Sequence, residues 1–118
     1  MTSKVTLRDI PPGTTFIVSP ERGPDPLTHQ SDDLRVVFNR MTGGIVEKSA
    51  HFHTRSTEVY LVILGELTLE LQGGQVTLRD HQSCTIPPGV PHRIVGSSPT
   101  VEAVVIRAPA VADRVTSE

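Results

Sequence analysis

The sequence predicts an all-β fold, and three observations support that prediction. Nine glycines and ten prolines are spread along the 118 residues and break them into short segments. No apolar pattern of helical period persists for three turns. Aromatic residues make up only 3% of the chain, which leaves the core to valine, isoleucine and leucine, the residues that favour strands. Short strands at this spacing are typical of a β-sandwich or a small barrel.

The predicted strands lie between turn signals. They cover residues 14–18, 34–41, 45–50, 58–64, 66–71, 75–79, 83–86, 92–95 and 100–107. Alternation is clearest in 66–71, where three leucines share one face and polar residues share the other. Gly73 and Gly74 then predict a hairpin turn. Residues 19–33 are predicted to form a long loop, and the tail from Ala108 onward carries little core signal.

Length, charge and hydropathy exclude several classes of protein. The length predicts one domain over residues 1–118. A net charge of -2 without blocks of like charge argues against a nucleic-acid partner. The longest apolar run, residues 59–64, is far too short to cross a membrane. The N-terminus lacks the features of a secretory signal, so we expect a cytoplasmic protein. Cys84 is the single cysteine and is expected to behave as a small apolar residue.

Three histidines and one carboxylate form a candidate metal site. His51 and His53 alternate on an extended strand and therefore share a face, about 7 Å apart at the backbone. Glu58 opens an apolar strand, where a carboxylate would have to be exposed, protonated or paired with a cation, and a divalent metal held by the histidines would supply that partner. A rigid Pro/Gly turn presents His92. This donor set suits divalent Fe, Mn, Co, Ni, Cu or Zn, whereas calcium needs more oxygen ligands.

At these positions the chain resembles the cupins. The first cupin motif reads Gly44-IVEKSA-His51-Phe52-His53-TRST-Glu58-VYLVIL-Gly65, and the second reads His81-QSCTI-Pro87-Pro88-Gly89-VP-His92-RIV-Gly96. The two motifs cover 44–65 and 81–96. Gly44 stands one residue too far from His51, and His81 and Gly96 replace the usual Gly and Asn of the second motif. None of these departures removes a family ligand.

The resemblance implies a double-stranded β-helix, that is, a jelly-roll barrel, with one divalent metal in its mouth. It implies that the ligands are His51, His53, Glu58 and His92. It also implies a homodimer, since many small cupins pair through strand exchange or face-to-face packing.

The parity of the strands extends the predicted site. Tyr60 shares the face of Glu58 and is expected to offer its phenol to a ligand, or else to lie in the core with a satisfied hydroxyl. Val62 and Ile94 are expected to line an apolar cavity. Arg93 should point away from the cavity, whereas the parity of Arg35, Asn39 and Arg40 stays open. His29 and His81 are expected to be solvated.

Three functions fit this pattern. The first is a metal-dependent enzyme, such as a dioxygenase acting on a small organic substrate. The second is a non-oxidative isomerase, epimerase or cyclase on the same metal site, for which the sequence offers few acid or base groups beyond Glu58 and Tyr60. The third is a metal-dependent module that binds a small molecule without converting it.

Overall fold

The fold is all-β, as the sequence predicts. A computed structural model describes residues 7–19 and 33–117. The strands in these ranges are β1 (Thr14–Ser19), β2 (Arg35–Thr42), β3 (Ala50–His53), β4 (Thr57–Leu64), β5 (Leu67–Leu71), β6 (Gly74–Leu78), β7 (Gln82–Ile86), β8 (His92–Ser97), β9 (Thr100–Ala108) and β10 (Arg114–Ser117). The described residues form no helix that could span a membrane.

Two antiparallel sheets face each other in a jelly roll. Sheet I has the strand order β1-β2-β9-β4-β7, and sheet II has the order β10-β3-β8-β5-β6. From β2 onward the chain crosses to the other sheet at every connection except β5–β6, which produces the double-stranded β-helix expected from the cupin resemblance. The predicted hairpin is the β5–β6 pair, in which Leu71 lies opposite Gly74.

The core lies between the sheets because alternate residues of each strand point inward. On β4, Glu58, Tyr60 and Val62 are buried, whereas the residues between them are partly exposed. Leu67 and Leu69 on β5 cover the core from sheet II. The inward faces are apolar except near one end of the barrel, where Glu58 and the histidines lie.

Two sequence predictions of secondary structure are wrong, and one lies outside the described ranges. The strand predicted at 45–50 is irregular up to Ala50, because this segment bonds to β8 partly through side chains. The Ile45 amide donates a hydrogen bond to Ser97 Oγ, and the Ile94 amide donates one to Glu47 Oε1. No strand is predicted in the tail from Ala108 onward, but Arg114–Ser117 form β10, which pairs with β3 and is mostly exposed, in keeping with the weak core signal of this segment. Most of the loop predicted at 19–33 falls outside the described residues.

Candidate metal site

The structure brings together the four side chains that the sequence predicts as metal ligands. His51 and His53 lie on β3, Glu58 on β4 and His92 on β8, and each of these residues is at most 6% exposed. His51 and His92 are direct neighbours across the β3–β8 pair in sheet II. Glu58 approaches them from sheet I. The site therefore joins imidazoles of one sheet to a carboxylate of the other.

One carboxylate oxygen is at the centre of the cluster. Glu58 Oε1 lies 2.7 Å from His92 Nε2, 3.3 Å from His53 Nε2 and 3.6 Å from His51 Nε2. Ligand atoms of His51, Glu58 and His92 all lie within 4.8 Å of one another. His53 stands slightly apart, with its ring centroid 5.4 Å from that of His51 and 6.4 Å from that of His92.

The opposite ring nitrogens show how the imidazoles are oriented. His92 Nδ1 lies 2.9 Å from the carbonyl oxygen of Val90, and His53 Nδ1 lies 2.8 Å from Asp113 Oδ1. Both oxygens only accept hydrogen bonds while Asp113 is ionised, so each Nδ1 carries the proton. In a neutral imidazole this leaves the Nε2 lone pair directed at Glu58.

A lone pair and a carboxylate oxygen in such close contact need a cation between them, either a proton or a metal ion. The donor set of this chain therefore fits a divalent transition metal. His51 differs from the other two rings, because its Nδ1 is buried without a hydrogen-bond partner among the described residues and the nearest carboxylate oxygen, Glu47 Oε2, is 3.8 Å away.

The electrostatics of the site follow from these contacts. Burial alone would raise the pKa of Glu58, but the imidazoles of His51, His92 and His53 lower it to about 2. Burial would lower the pKa of His92, but the hydrogen bonds with Glu58 and Val90 outweigh that effect and raise it above 6.5. In the absence of metal, both shifts favour a buried ion pair between Glu58 and His92.

His51, His53 and Glu58 form one wall of a cavity of about 400 Å³, a size suited to a small organic molecule, and His92 lies behind Glu58 and does not line the cavity. Tyr60 and Ile94 line it, as expected from strand parity. The Tyr60 ring lies edge-on to the His92 ring at 5.8 Å between centroids. Val62 corrects the sequence prediction: it points inward as expected, but it is fully buried in the core and does not line this cavity.

The register of sheet I shows which residues of β2 point into the barrel, a question that the sequence leaves open. Arg35, Arg107 and Glu58 occupy one cross-strand row over β2, β9 and β4, and Arg35 and Arg107 line the cavity. Asn39 also lines it. Arg40 points outward and pairs with Glu102 at 3.7 Å. Arg93 likewise points away from the cavity and binds Glu70.

Sequence reasoning missed several residues that border the cluster. They are Glu47, Arg107, Asp113 and Arg114. Asp113 follows the last predicted strand and belongs to no motif, so its one signal is a lone carboxylate in the mostly apolar segment 110–115. Arg114 is placed opposite His53 by the β10–β3 register. Since β10 was not predicted, neither position could be inferred.

The remaining histidines and the cysteine lie elsewhere. His81 is exposed, as expected, and adopts a φ of 65° in the turn before β7, a conformation for which glycine is better suited. Cys84 is partly buried against the core, and burial raises the pKa of its thiol. His29 lies outside the described residues.

Comparison with known proteins identifies the fold family. The cupin-domain family profile matches residues 36–107, more than half of the chain. No curated protein sequence gives a match. The structure is similar to an uncharacterized conserved protein with a double-stranded β-helix domain from Klebsiella pneumoniae, at 20% identity and a TM-score of 0.68, with 96% of this chain and 90% of that chain covered.

Two structurally similar proteins are enzymes. One is Streptomyces Pac13, a nucleoside dehydratase that has been solved with uridine. Its sequence identity to this chain is 22% and the TM-score is 0.65, and the match covers 76% of this chain and 72% of that one. The DMSP lyase DddQ of Ruegeria pomeroyi is 21% identical with a TM-score of 0.67. That match covers 86% of this chain but only 50% of DddQ.

Proposed function

We propose that this chain, which belongs to the cupin family, is a metal-dependent enzyme that acts on a small organic substrate. One observation carries the proposal: three imidazole Nε2 atoms surround Glu58 Oε1, and Glu58, His51 and His53 line a cavity of about 400 Å³. His51, His53, Glu58 and His92 would hold one divalent transition metal. A metal bound there would supply a Lewis acid next to the substrate.

Tyr60 is the proposed acid of the reaction. Burial raises the pKa of Tyr60 well above its usual value of 10, and the charges of Glu58 and Glu47 raise it further. The phenol therefore keeps its proton at neutral pH. Because Tyr60 lines the cavity beside His92, it is placed to donate a hydrogen bond or a proton to a bound substrate.

This phenol favours non-oxidative chemistry, in which a bond is broken or rearranged with transfer of a proton. An elimination or isomerisation needs an acid beside the metal, and Tyr60 supplies one. The reactions named for two structural relatives, a dehydratase and a lyase, are of this class. They support the proposal by analogy of fold alone.

A dioxygenase is the second candidate. Four protein ligands would leave two positions of an octahedral ion open, enough for dioxygen and a substrate atom. Assays of the metal-loaded protein with and without oxygen separate the two. Turnover that continues under anaerobic conditions supports the elimination or isomerisation. Consumption of oxygen in step with the substrate identifies a dioxygenase, and binding without turnover identifies a binding module.

The charges of the cavity favour an anionic substrate. Among the described residues of its lining, three arginines balance three carboxylates, so a divalent ion leaves a net positive charge. These residues are Arg35, Arg107, Arg114, Glu47, Glu58 and Asp113. The test is a thermal-shift comparison of the zinc-loaded protein with succinate and with its neutral diamide. We expect succinate alone to raise the melting temperature, and equal effects would contradict an anionic substrate.

The homodimer is proposed from the outer face of sheet I. Apolar residues of neighbouring strands form rows on that face and are partly exposed. These residues are Phe16, Val36, Phe38, Val59, Leu61, Val104 and Ile106. A second copy of the same face would cover them. The single domain over residues 1–118 and the cytoplasmic location stay predictions from the sequence.

A further inference from the structure

Asp113 is a buried carboxylate that bonds to the back of the proposed metal site. Its side chain is only 3% exposed. Oδ1 accepts a hydrogen bond from His53 Nδ1 at 2.8 Å and lies 3.3 Å from Arg107 Nη1. Oδ2 accepts hydrogen bonds from the backbone amides of Arg55 and Ser56, both at 2.8 Å, and lies 2.9 Å from Ser56 Oγ, whose single proton is shared with the Pro109 carbonyl oxygen at 2.6 Å.

These contacts fix the carboxylate as a permanent acceptor. The backbone amides of Arg55 and Ser56 at Oδ2 and the Arg107 guanidinium at Oδ1 can only donate hydrogen bonds. Both oxygens of Asp113 therefore act as acceptors, and the neighbouring guanidinium charge favours the ionised carboxylate. His53 must donate from Nδ1, which leaves Nε2 free to face Glu58 Oε1 at 3.3 Å.

Backbone contacts also hold Asp113 beside His53. Arg114, the residue after Asp113, is paired with His53 in the β10–β3 ladder. The Thr54 amide also donates to the Asp113 carbonyl oxygen, at 3.2 Å. Backbone contacts on both sides of the histidine therefore position Asp113, although 60 residues separate the two in sequence.

The three histidines differ in the hydrogen-bond partner of Nδ1. His92 is held by a backbone carbonyl, and His51 has no hydrogen-bond partner among the described residues. Only His53 is held by a side chain in the described part of the structure, and it is also the ring that stands farthest from His92.

We propose that Asp113 is a positioning residue that orients His53 Nε2 toward the bound metal ion. This inference rests on the proposed metal site. A carboxylate behind a ligating histidine fixes its tautomer and makes the ligand nitrogen more basic, and loss of such a partner lowers metal affinity about 10- to 100-fold. Asp113 thus acts on the metal through His53, although it does not itself reach the ion.

The experiment is a double-mutant cycle read out by metal affinity. The dissociation constant for Co(II) is measured by competition with a chelating dye for the wild-type protein, Asp113→Asn, His53→Ala and the double variant. The amide introduced by Asp113→Asn cannot accept from all the donors that the carboxylate serves, so His53 loses its fixed partner. We expect Asp113→Asn to weaken Co(II) binding about 10- to 100-fold in the wild-type background.

In the His53→Ala background the same substitution should have little further effect, since the ring it orients is gone. Asp80→Asn is the matched control. Asp80 also accepts a backbone amide, that of Gly65 at 2.7 Å, but it does not line the cavity. Its substitution should leave Co(II) affinity unchanged. Circular dichroism of each metal-free variant checks the fold, and Asp113→Glu replaces Asp113→Asn if the latter does not fold.

The outcomes separate this inference from the proposed function. If the wild-type protein binds no Co(II), the metal site itself is wrong. If it binds Co(II) but Asp113→Asn weakens binding equally with and without the His53 ring, Asp113 has only a general structural role and the inference fails. It also fails if Asp113→Asn or His53→Ala leaves Co(II) affinity unchanged.

Discussion

Glu58 Oε1 lies 2.7 Å from His92 Nε2, although the other nitrogen of that ring already bonds to the carbonyl oxygen of Val90. Such a contact is stable only with a proton or a metal ion between the two atoms. The two cations compete for the same lone pair. Metal binding and protonation at this site must therefore oppose each other.

The first prediction is that the metal-free and metal-bound proteins depend differently on pH. The raised pKa of His92 stabilises the metal-free fold fully below pH 6.5, and this contribution is lost as pH rises through the folded-state pKa. The lowered pKa of Glu58 contributes stability above pH 4.5 that is lost toward pH 2. The metal-free pair therefore stabilises most between pH 4.5 and 6.5.

Metal binding requires neutral imidazoles and so strengthens as pH rises. We expect the difference in melting temperature between the Zn(II)-bound and metal-free proteins to be large at about pH 8 and to shrink below about pH 6. Differential scanning fluorimetry across this range measures it. A difference that is constant with pH would show that the metal does not displace protons from the histidines.

The second prediction concerns Tyr60. Tyr60→Phe removes the phenolic hydroxyl and keeps the ring that packs beside His92. If Tyr60 is the acid, kcat should fall about 100- to 10,000-fold while metal affinity stays unchanged. Steady-state kinetics on the substrate found in the anaerobic assay, with metal content measured on the same samples, test this. Unchanged kcat would remove Tyr60 from the reaction.

The third prediction separates two reasons for glycine. Gly65 and Gly73 both have a φ of +92°, but a Cβ at Gly65 would lie 2.5 Å from Ser98 Oγ and from the Thr100 carbonyl oxygen, whereas a Cβ at Gly73 meets nothing within 4 Å. Gly73→Ala should lower the free energy of unfolding by about 1–2 kcal/mol through backbone strain alone. Gly65→Ala should cost about 1–3 kcal/mol more, because the clash must be relieved.

Urea denaturation of the two variants gives these free energies. Equal losses would mean that the close packing around Gly65 relaxes freely, so that only its backbone conformation matters.

The fourth prediction tests the homodimer. Val104 lies at the centre of the outer face of sheet I, between Phe38 and Leu61 in the cross-strand register. Val104→Glu would place a charge in the proposed interface and should convert a dimer to a monomer. Val76→Glu, on β6 of sheet II and 37% exposed in the described structure, is the matched control. Sedimentation velocity measures both.

A monomeric wild-type protein would contradict the dimer directly. A dimer that survives Val104→Glu would place the interface elsewhere.

The sequence predicts most of the barrel because its signal is local. Alternation of leucines with polar residues defines β5, and the apolar run after Glu58 defines β4. The prediction fails where strand formation depends on distant partners. Residues 45–50 have strand composition, but some of their hydrogen bonds with β8 are made by the side chains of Ser97 and Glu47 and not by a backbone ladder. The strand β10 forms only because β3 offers a free edge.

The candidate site divides in the same way. His51, His53, Glu58 and His92 stand at spacings that a family motif fixes, so their convergence could be anticipated from the sequence. Asp113 stands 60 residues from the histidine it contacts, in a segment without alternation. Its role depends on the path of the chain after β9, which no local pattern encodes. Val62 shows the opposite error, since correct parity did not reveal how deep the cavity extends.

The most direct test of the central claim is the metal content of the protein. Elemental analysis of untagged protein, reconstituted with Zn(II) and freed of excess metal, should give one ion per chain. His92→Ala should lose affinity by more than the about 10- to 100-fold expected for an outer partner. His81→Asn, an exposed histidine with a residue that tolerates its positive φ, should keep the ion. Wild-type protein without metal, or His92→Ala with undiminished metal, would contradict the account.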